Sequence, residues 1–276
     1  MIRVSAFADE ISSDLDEQIE VLQQQHISHL ELRSVWDVGV LDLSDSQVET
    51  LQSRLYSAGI DVTGIGSPIG KVPVDTSMDE ELARLDRALS LCHVLGCHFI
   101  RIFSYYPPSR GHPESPSGWR DRVHAKMAQL VARAERTPVT LLHENDTDLY
   151  GDSVVRSAEV LDQNRSPHLG AILDPANYLL SHQRPYPDGY EAVRDRLRVI
   201  HVKDVRDGAV VPAGLGDADF PELLGRLRDD GFSGILALEP HLAAAGQFRG
   251  FSGPERFTEA AEALKRLLAQ AGLPWE

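Results

Sequence analysis

The sequence is poor in cysteine, in positive charge and in long apolar runs, and each shortage excludes a class of protein. Only two cysteines, Cys92 and Cys97, occur in 276 residues. That is too few for a disulfide framework, so both are expected to be reduced thiols in the core. Lys and Arg total 27 against 42 Asp and Glu, for a net charge of −15 with His neutral. Such a field repels phosphates and argues against a nucleic-acid partner. No apolar run is long enough to span a bilayer, which argues against a membrane partner. The stretch from Met1 to Glu10 turns acidic too early for the apolar core of a signal peptide. Together these shortages point to a cytoplasmic protein.

What is present is an alternation of short apolar strands and amphipathic helices. Strands are predicted at Ile2 to Phe7, His29 to Arg33, Asp61 to Ile65, His98 to Phe103, Val139 to Glu144, Leu169 to Asp174, Arg198 to Val202 and Gly234 to Glu239. All are short and mostly apolar, as strands buried on both faces of a parallel sheet are. Helical spacing fills the gaps, as in Leu82, Leu85, Leu89 and Cys92. Ser77 with Glu80 reads as a capping box before that helix, and Gly96 as its stop. Ser44 with Gln47 reads as a second box, closed by Gly59, and Ser252-Gly253-Pro254-Glu255 opens the last helix.

Eight strands alternating with eight helices predict an α/β fold of the (β/α)₈ TIM-barrel type. An open doubly wound sheet is the alternative. It normally carries a glycine-rich turn after the first strand, and Ser5 to Glu10 has none. No composition break marks a second domain, so residues 1–276 read as a single one. The longest irregular stretch, Ser104 to Gly118, follows the fourth strand and would lie on the active-site face.

Barrel active sites lie at the C-terminal ends of the strands. Strands five to eight end, in order, on Glu144, Asp174, His201 and Glu239. Any one of these alone reads as a helix cap or a surface acid. Four in succession, on neighbouring strands, can converge on one point. Three carboxylates and an imidazole suit one hard or borderline divalent cation, and Mn²⁺, Co²⁺, Mg²⁺ or Zn²⁺ all fit that donor set.

The chain resembles the sugar phosphate isomerase/epimerase family of xylose isomerase-like TIM barrels. The resemblance is carried by Gly64-Ile65-Gly66-Ser67-Pro68-Ile69-Gly70-Lys71, by Leu141 to Asn145 with Tyr150-Gly151-Asp152, and by Leu173-Asp174-Pro175-Ala176-Asn177. It continues in His201-Val202-Lys203-Asp204, Pro212 to Asp217 and Leu238 to His241. It implies a small-molecule carbohydrate substrate and a single divalent metal ion held by Glu144, Asp174, His201 and Glu239. It also implies that Glu144 and Glu239 act as the acid–base pair beside a carbonyl, through an enediolate. Similar proteins form dimers and tetramers, and no interface motif is separable here.

One departure stands out: where relatives acting on free ketoses often have His, three residues after the sixth-strand Asp, this chain has Asn177. An amide can bond a sugar hydroxyl but cannot become a cation. Further substrate-binding candidates are Lys203, Arg206, Arg33, Lys71 and Trp36. His143 should point away from the pocket by strand alternation, and Asp204 is a candidate to orient a neighbour. Gly64 and Gly66 are too few to argue for a phosphate-binding loop, so an unphosphorylated sugar or keto-glycoside is expected at least as readily. The leading expectation is an isomerase or epimerase. The alternative is a lyase on the same scaffold, an inosose dehydratase-like enzyme or a keto-glycoside eliminase. A repair nuclease like endonuclease IV fits poorly with the charge, and a catalytically dead barrel would need a lost ligand.

Overall fold

A computed structural model of the chain describes residues 1–108, 116–243 and 251–276. Eight strands form one parallel sheet: β1 (Arg3–Ala6), β2 (His29–Leu32), β3 (Asp61–Ile65), β4 (Phe99–Ile102), β5 (Thr140–Glu144), β6 (Leu169–Leu173), β7 (Leu197–Val202) and β8 (Ile235–Leu238). Neighbours run in sequence order from β2 round to β8, and β8 pairs with β1. A single parallel bridge between Phe7 and Glu31 brings β1 to β2 and closes the barrel. The expected eight-stranded architecture is the one found.

Helices cover the outside: α1 (Leu15–Gln24), α2 (Asp45–Ala58), α3 (Met78–Leu95), α4 (Pro116–Ala134), α5 (Val154–Gln163), α6 (Pro175–Leu180), α7 (Tyr190–Val193), α8 (Phe220–Asp229) and α9 (Pro254–Ala271). The Ser44–Gln47 capping box forms as expected, and Gly59 ends α2 at φ 69°. The box expected at Ser77 does not form. Helix α3 starts there on the backbone bond from Glu81 N–H to the Ser77 carbonyl, without a side-chain cap. After β6 the single expected helix is split into α6 and α7 around a turn at Pro185–Gly189. Two short hairpins also decorate the barrel, Ser34–Val35 with Val38–Gly39 and Asp204–Arg206 with Ala209–Val211. Both cysteines are buried and free. The middle of the irregular stretch expected to wall the site, 109–115, lies outside the described residues.

Side chains alternate between the barrel interior and the helix layer. Leu142, Ile172, Val199, Ile235 and Ala237 form an apolar plug inside the barrel, with Phe99 packed on it. Two residues further along the same strands, on the same face, come Glu144, Asp174, His201, Glu239 and, from β4, Arg101. The plug thus seals the barrel below, and the polar residues stand above it at the C-terminal rim. The intervening residues, such as Leu141, Leu173, Ile200 and Leu238, pack outward in the main core under the helices.

Candidate metal centre

Glu144, Asp174, His201 and Glu239 converge at the rim. Each is buried and offers a ligand atom within 4.8 Å of the other three. His201 Nδ1 lies 3.1 Å from Glu144 Oε1 and 3.3 Å from Glu239 Oε2. Its Nε2 points the other way, 3.7 Å from Glu31 Oε2. The ring also stands edge-on to Phe7, with centroids 5.1 Å apart. At 3.7 Å Nε2 makes no hydrogen bond with Glu31, which acts on the ring through its charge.

Cations interleave with these carboxylates. Arg33 Nη1 lies 2.8 Å from Glu239 Oε1, and Arg101 Nη1 lies 3.2 Å from Glu144 Oε2. Lys203 Nζ is 2.7 Å from Asp174 Oδ2 and 3.6 Å from Glu239 Oε2. Both guanidinium groups stack on Phe7, at 4.9 and 5.1 Å from its centroid. Arg33 is anchored by Asp9 at 2.7 Å and by Glu10 at 3.3 Å. His241 Nε2 completes the ring of charges, 3.0 Å from Glu10 and 3.4 Å from Glu239.

The electrostatics follow from these neighbours. Burial opposes ionisation of Glu144, but His201 and Arg101 outweigh it and hold the carboxyl down at about 2. For Glu239 burial is likewise outweighed, by Lys203, His241 and His201. Asp174 is different: burial dominates, Lys203 offsets only part of it, and the carboxyl is pushed up to about 6. His201 loses basicity by burial, but Glu144, Glu239 and Glu31 raise it well above the usual range. Glu144 Oε2, Asp174 Oδ2 and Glu239 Oε2 accept no well-directed hydrogen bond, although each has a cationic nitrogen within 3.6 Å. Buried carboxylate oxygens left in that condition are atoms that a divalent cation would satisfy. The donor set fits one such ion.

Asn177 caps this arrangement. Its N–H donates to Asp174 Oδ1 at 2.9 Å, and its amide reaches Glu144 Oε1 at 3.4 Å and the Asn145 carbonyl at 3.1 Å. Asn145 in turn exchanges two bonds with the Asp174 backbone, at 2.8 and 2.9 Å. A cavity of about 690 Å³ opens above the cluster, lined by Arg33, Lys71, Arg101, Glu144, Asn177, Lys203 and Glu239 among others. Lys71 holds its place by pairing with Asp146 and lying 4.8 Å from the Phe103 ring centroid. Its loop is tied to the chain beyond β4, where Phe103 N–H donates to the Ile69 carbonyl and Tyr105 N–H to the Gly70 carbonyl. At Gly70, φ is 80° and an added Cβ would lie 2.1 Å from the Phe103 carbonyl oxygen, so a side chain is excluded.

Two expected contacts do not reach this cavity. Arg206 follows Val205 on the hairpin after β7, and alternation turns it out to solvent, 4.0 Å from Asp217. Trp36 sits in the hairpin turn after β2 at φ 55° and packs against the outer core. Asp204 orients no ligand. Its carboxylate accepts backbone bonds from Val205, Gly214, Gly216 and Ala218 and so gathers the loop Pro212 to Asp217. His143 faces away from the cavity against Gly151, as alternation requires. Arg101, Glu31, Asp9, Glu10 and Asn145 were not singled out from sequence. Arg101 and Glu31 were nevertheless visible as lone charges within apolar strands, on the inward parity.

Residues 27–273 match the xylose isomerase-like TIM barrel family. The chain belongs to this family. No curated protein matches it by sequence. Among solved structures it is similar to D-psicose 3-epimerase with D-tagatose from Clostridium cellulolyticum H10, at 17% identity and a TM-score of 0.75, covering 98% of this chain and 99% of that one. It is also similar to the probable 3-DHS dehydratase AsbF, involved in petrobactin synthesis, from Bacillus anthracis, at 14% identity and a TM-score of 0.75 over 96% of this chain and 99% of that one. A third, the IolI protein with a bound zinc atom, shares 16% identity at a TM-score of 0.73 over 98% of each chain. These neighbours include a 3-epimerase and a probable dehydratase, so the comparisons leave the reaction open. Among the described residues no helix is long and apolar enough to cross a membrane.

Proposed function

We propose that this xylose isomerase-like barrel is a divalent-metal-dependent isomerase or epimerase of a carbohydrate bearing a carbonyl group. The observation that carries the reading is the placement of Glu144 and Glu239. They reach one cavity floor from β5 and β8, both beside His201 Nδ1, and each has its own guanidinium. Glu144, Asp174, His201 and Glu239 would hold one Mn²⁺, Co²⁺, Mg²⁺ or Zn²⁺ ion. Such an ion supplies Lewis-acid stabilisation of charge on the substrate oxygens.

The chain's own residues do the rest. One glutamate takes the proton from the carbon beside the carbonyl. The other returns a proton, to the other face of the planar enediolate for epimerisation. Return to the neighbouring carbon gives isomerisation instead. His201 serves as a neutral ligand through Nδ1, with the Glu31 charge behind its Nε2. Asn177, Lys203 and Arg33 offer donors at the cavity floor and Lys71 one at the rim, and these position sugar oxygens.

A second reading, elimination, is favoured by Lys203. Its ammonium lines the cavity and is held charged, because Asp174, Glu239 and Glu144 outweigh the cost of burial. A fixed cation there stabilises a departing hydroxyl or glycosidic oxygen. Product mass separates the readings, since dehydration loses water and epimerisation conserves mass.

The deciding experiment incubates the Mn²⁺-loaded protein with keto-sugars in deuterated water. Incorporation of deuterium beside the carbonyl with mass otherwise conserved, slowed by about 100-fold or more in Glu144→Gln, supports the isomerase reading. Loss of 18 mass units, roughly one water, would turn it to elimination. Neither incorporation nor mass change, with no bound metal on elemental analysis, would overturn both.

A further inference from the structure

We infer that the outer half of the cavity is a subsite for an uncharged apolar or aromatic group attached to the reacting carbohydrate. The substrate would then be a two-part, glycoside-like molecule. This rests on the reading of the cavity floor as the place of proton transfer.

Size is the first observation. The cavity holds about 690 Å³. A hexose has about a dozen non-hydrogen atoms. Even at the ~30 Å³ that a water molecule takes in the liquid, it would fill roughly 360 Å³, about half of that space.

The second observation is a change of character between floor and mouth. At the floor Arg33, Arg101 and Lys203 are all engaged by carboxylates. The mouth, besides charged Asp42, Asp148 and Lys71, carries Leu41 from the turn after β2, Tyr106 beyond β4, Leu180 at the end of α6 and Val210 from the hairpin after β7. None of the four is buried, and Leu180 is 42% exposed. Four apolar side chains from four separate excursions thus border one space continuous with the floor. Water-exposed apolar surface brought together in this way gains by covering.

Charge is the third. Asp42, Asp146 and Asp148 also line the cavity, and Lys71, the cation at the rim, is paired with Asp146. An excess of acid at the mouth repels a phosphate or carboxylate. That excludes an anionic appendage, and the apolar side chains beside it favour an uncharged one over a cation.

The test uses Mn²⁺-loaded enzyme and three probes: 3-keto-glucose, its phenyl β-glycoside and its 6-phosphate. Deuterium incorporation gives kcat/KM and calorimetry gives Kd. The phenyl glycoside is expected to exceed the free sugar in kcat/KM by about tenfold or more, with the phosphate below both. Leu180→Asp and Val210→Asp, each at an unburied position, should erase that preference and leave the free sugar unchanged. Turnover of the free sugar also reports that each variant has folded. Equal kcat/KM for sugar and glycoside, a preference for the phosphate, or a preference unmoved by both variants would overturn the subsite while proton transfer stands. If no probe exchanges deuterium, the proton-transfer reading falls and Kd decides alone. Tighter binding of the glycoside, lost in Leu180→Asp, upholds the subsite, and equal or absent binding overturns it as well.

Discussion

Every carboxylate of the buried cluster has a cation against it: Arg101 for Glu144, Arg33 for Glu239 and Lys203 for Asp174. These pairs keep the cluster folded before metal arrives, because like charges this close repel strongly in a buried site. Lys203→Met should therefore destabilise the metal-free protein by about 3 kcal/mol, the cost typical of a buried charge left unpaired. Saturating Mn²⁺ should recover much of that loss. Calorimetric melts with and without metal check both statements, and an equal loss in the two conditions would contradict them. Glu144→Gln and Glu239→Gln should each slow proton exchange by roughly 10²- to 10⁴-fold, the usual contribution of a positioned acid or base.

The convergence of Glu144, Asp174, His201 and Glu239 was legible in the sequence because each lies at the end of an apolar strand or directly follows it. Arg101 and Glu31 were missed because only strand ends were searched, although both lie on the inward parity of β4 and β2. Trp36 was a candidate as an apolar wall and Arg206 through the resemblance; a hairpin turn and a solvent-facing parity place both outside the cavity lining. Neither hairpin leaves an apolar periodicity long enough to read.

At the scale of elements, the short motifs turn out to be loops wound round buried anchors. Asp204 gathers the loop from Pro212 to Asp217, and at Gly216 an added Cβ would lie 2.1 Å from Asp204 Oδ1. Gly225, within α8, has nothing within 4 Å of an added Cβ. The same substitution should then have opposite signs. Gly216→Ala should destabilise by about 2 kcal/mol or more through overpacking. Gly225→Ala should stabilise by about 0.5–1 kcal/mol, the helix-propensity gain. Urea titrations of the two variants check the pair. Glu10 is a second anchor. Its backbone carbonyl accepts from Ser252 and Gly253 N–H, and its carboxylate accepts from the His241 N–H and the Ser252 hydroxyl.

Glu10 also sets a pH dependence. Burial works against its charge, but His241 and Arg33 prevail and lower its pKa below the usual value. A carboxyl lowered on folding contributes stability above its unfolded pKa, near 4.3, and that contribution is lost as pH falls through the folded value. Glu10→Gln should therefore cost stability at about pH 7, and the cost should shrink below about pH 4. Denaturant midpoints at the two pH values decide it.

Across the whole molecule, the architecture was the most legible feature, because eight buried strands alternating with helices leave few other solutions. Ligand linkage acts at the same scale. Metal at 100 times its Kd should add about 2.7 kcal/mol to unfolding, and a chelator should remove it, as thermal scans would show. The pairing of β1 with β8 carries one more consequence. Arg3 to Ala6 find their partners only at Ile235 to Leu238, more than two hundred positions later in the chain. As the polypeptide leaves the ribosome, its first strand must wait beside its neighbour without a closing partner until the eighth has been made. The same strand delivers Glu239, so the ligand set is complete only at that moment. An ion that needs all four side chains would therefore be taken up only after the barrel has closed.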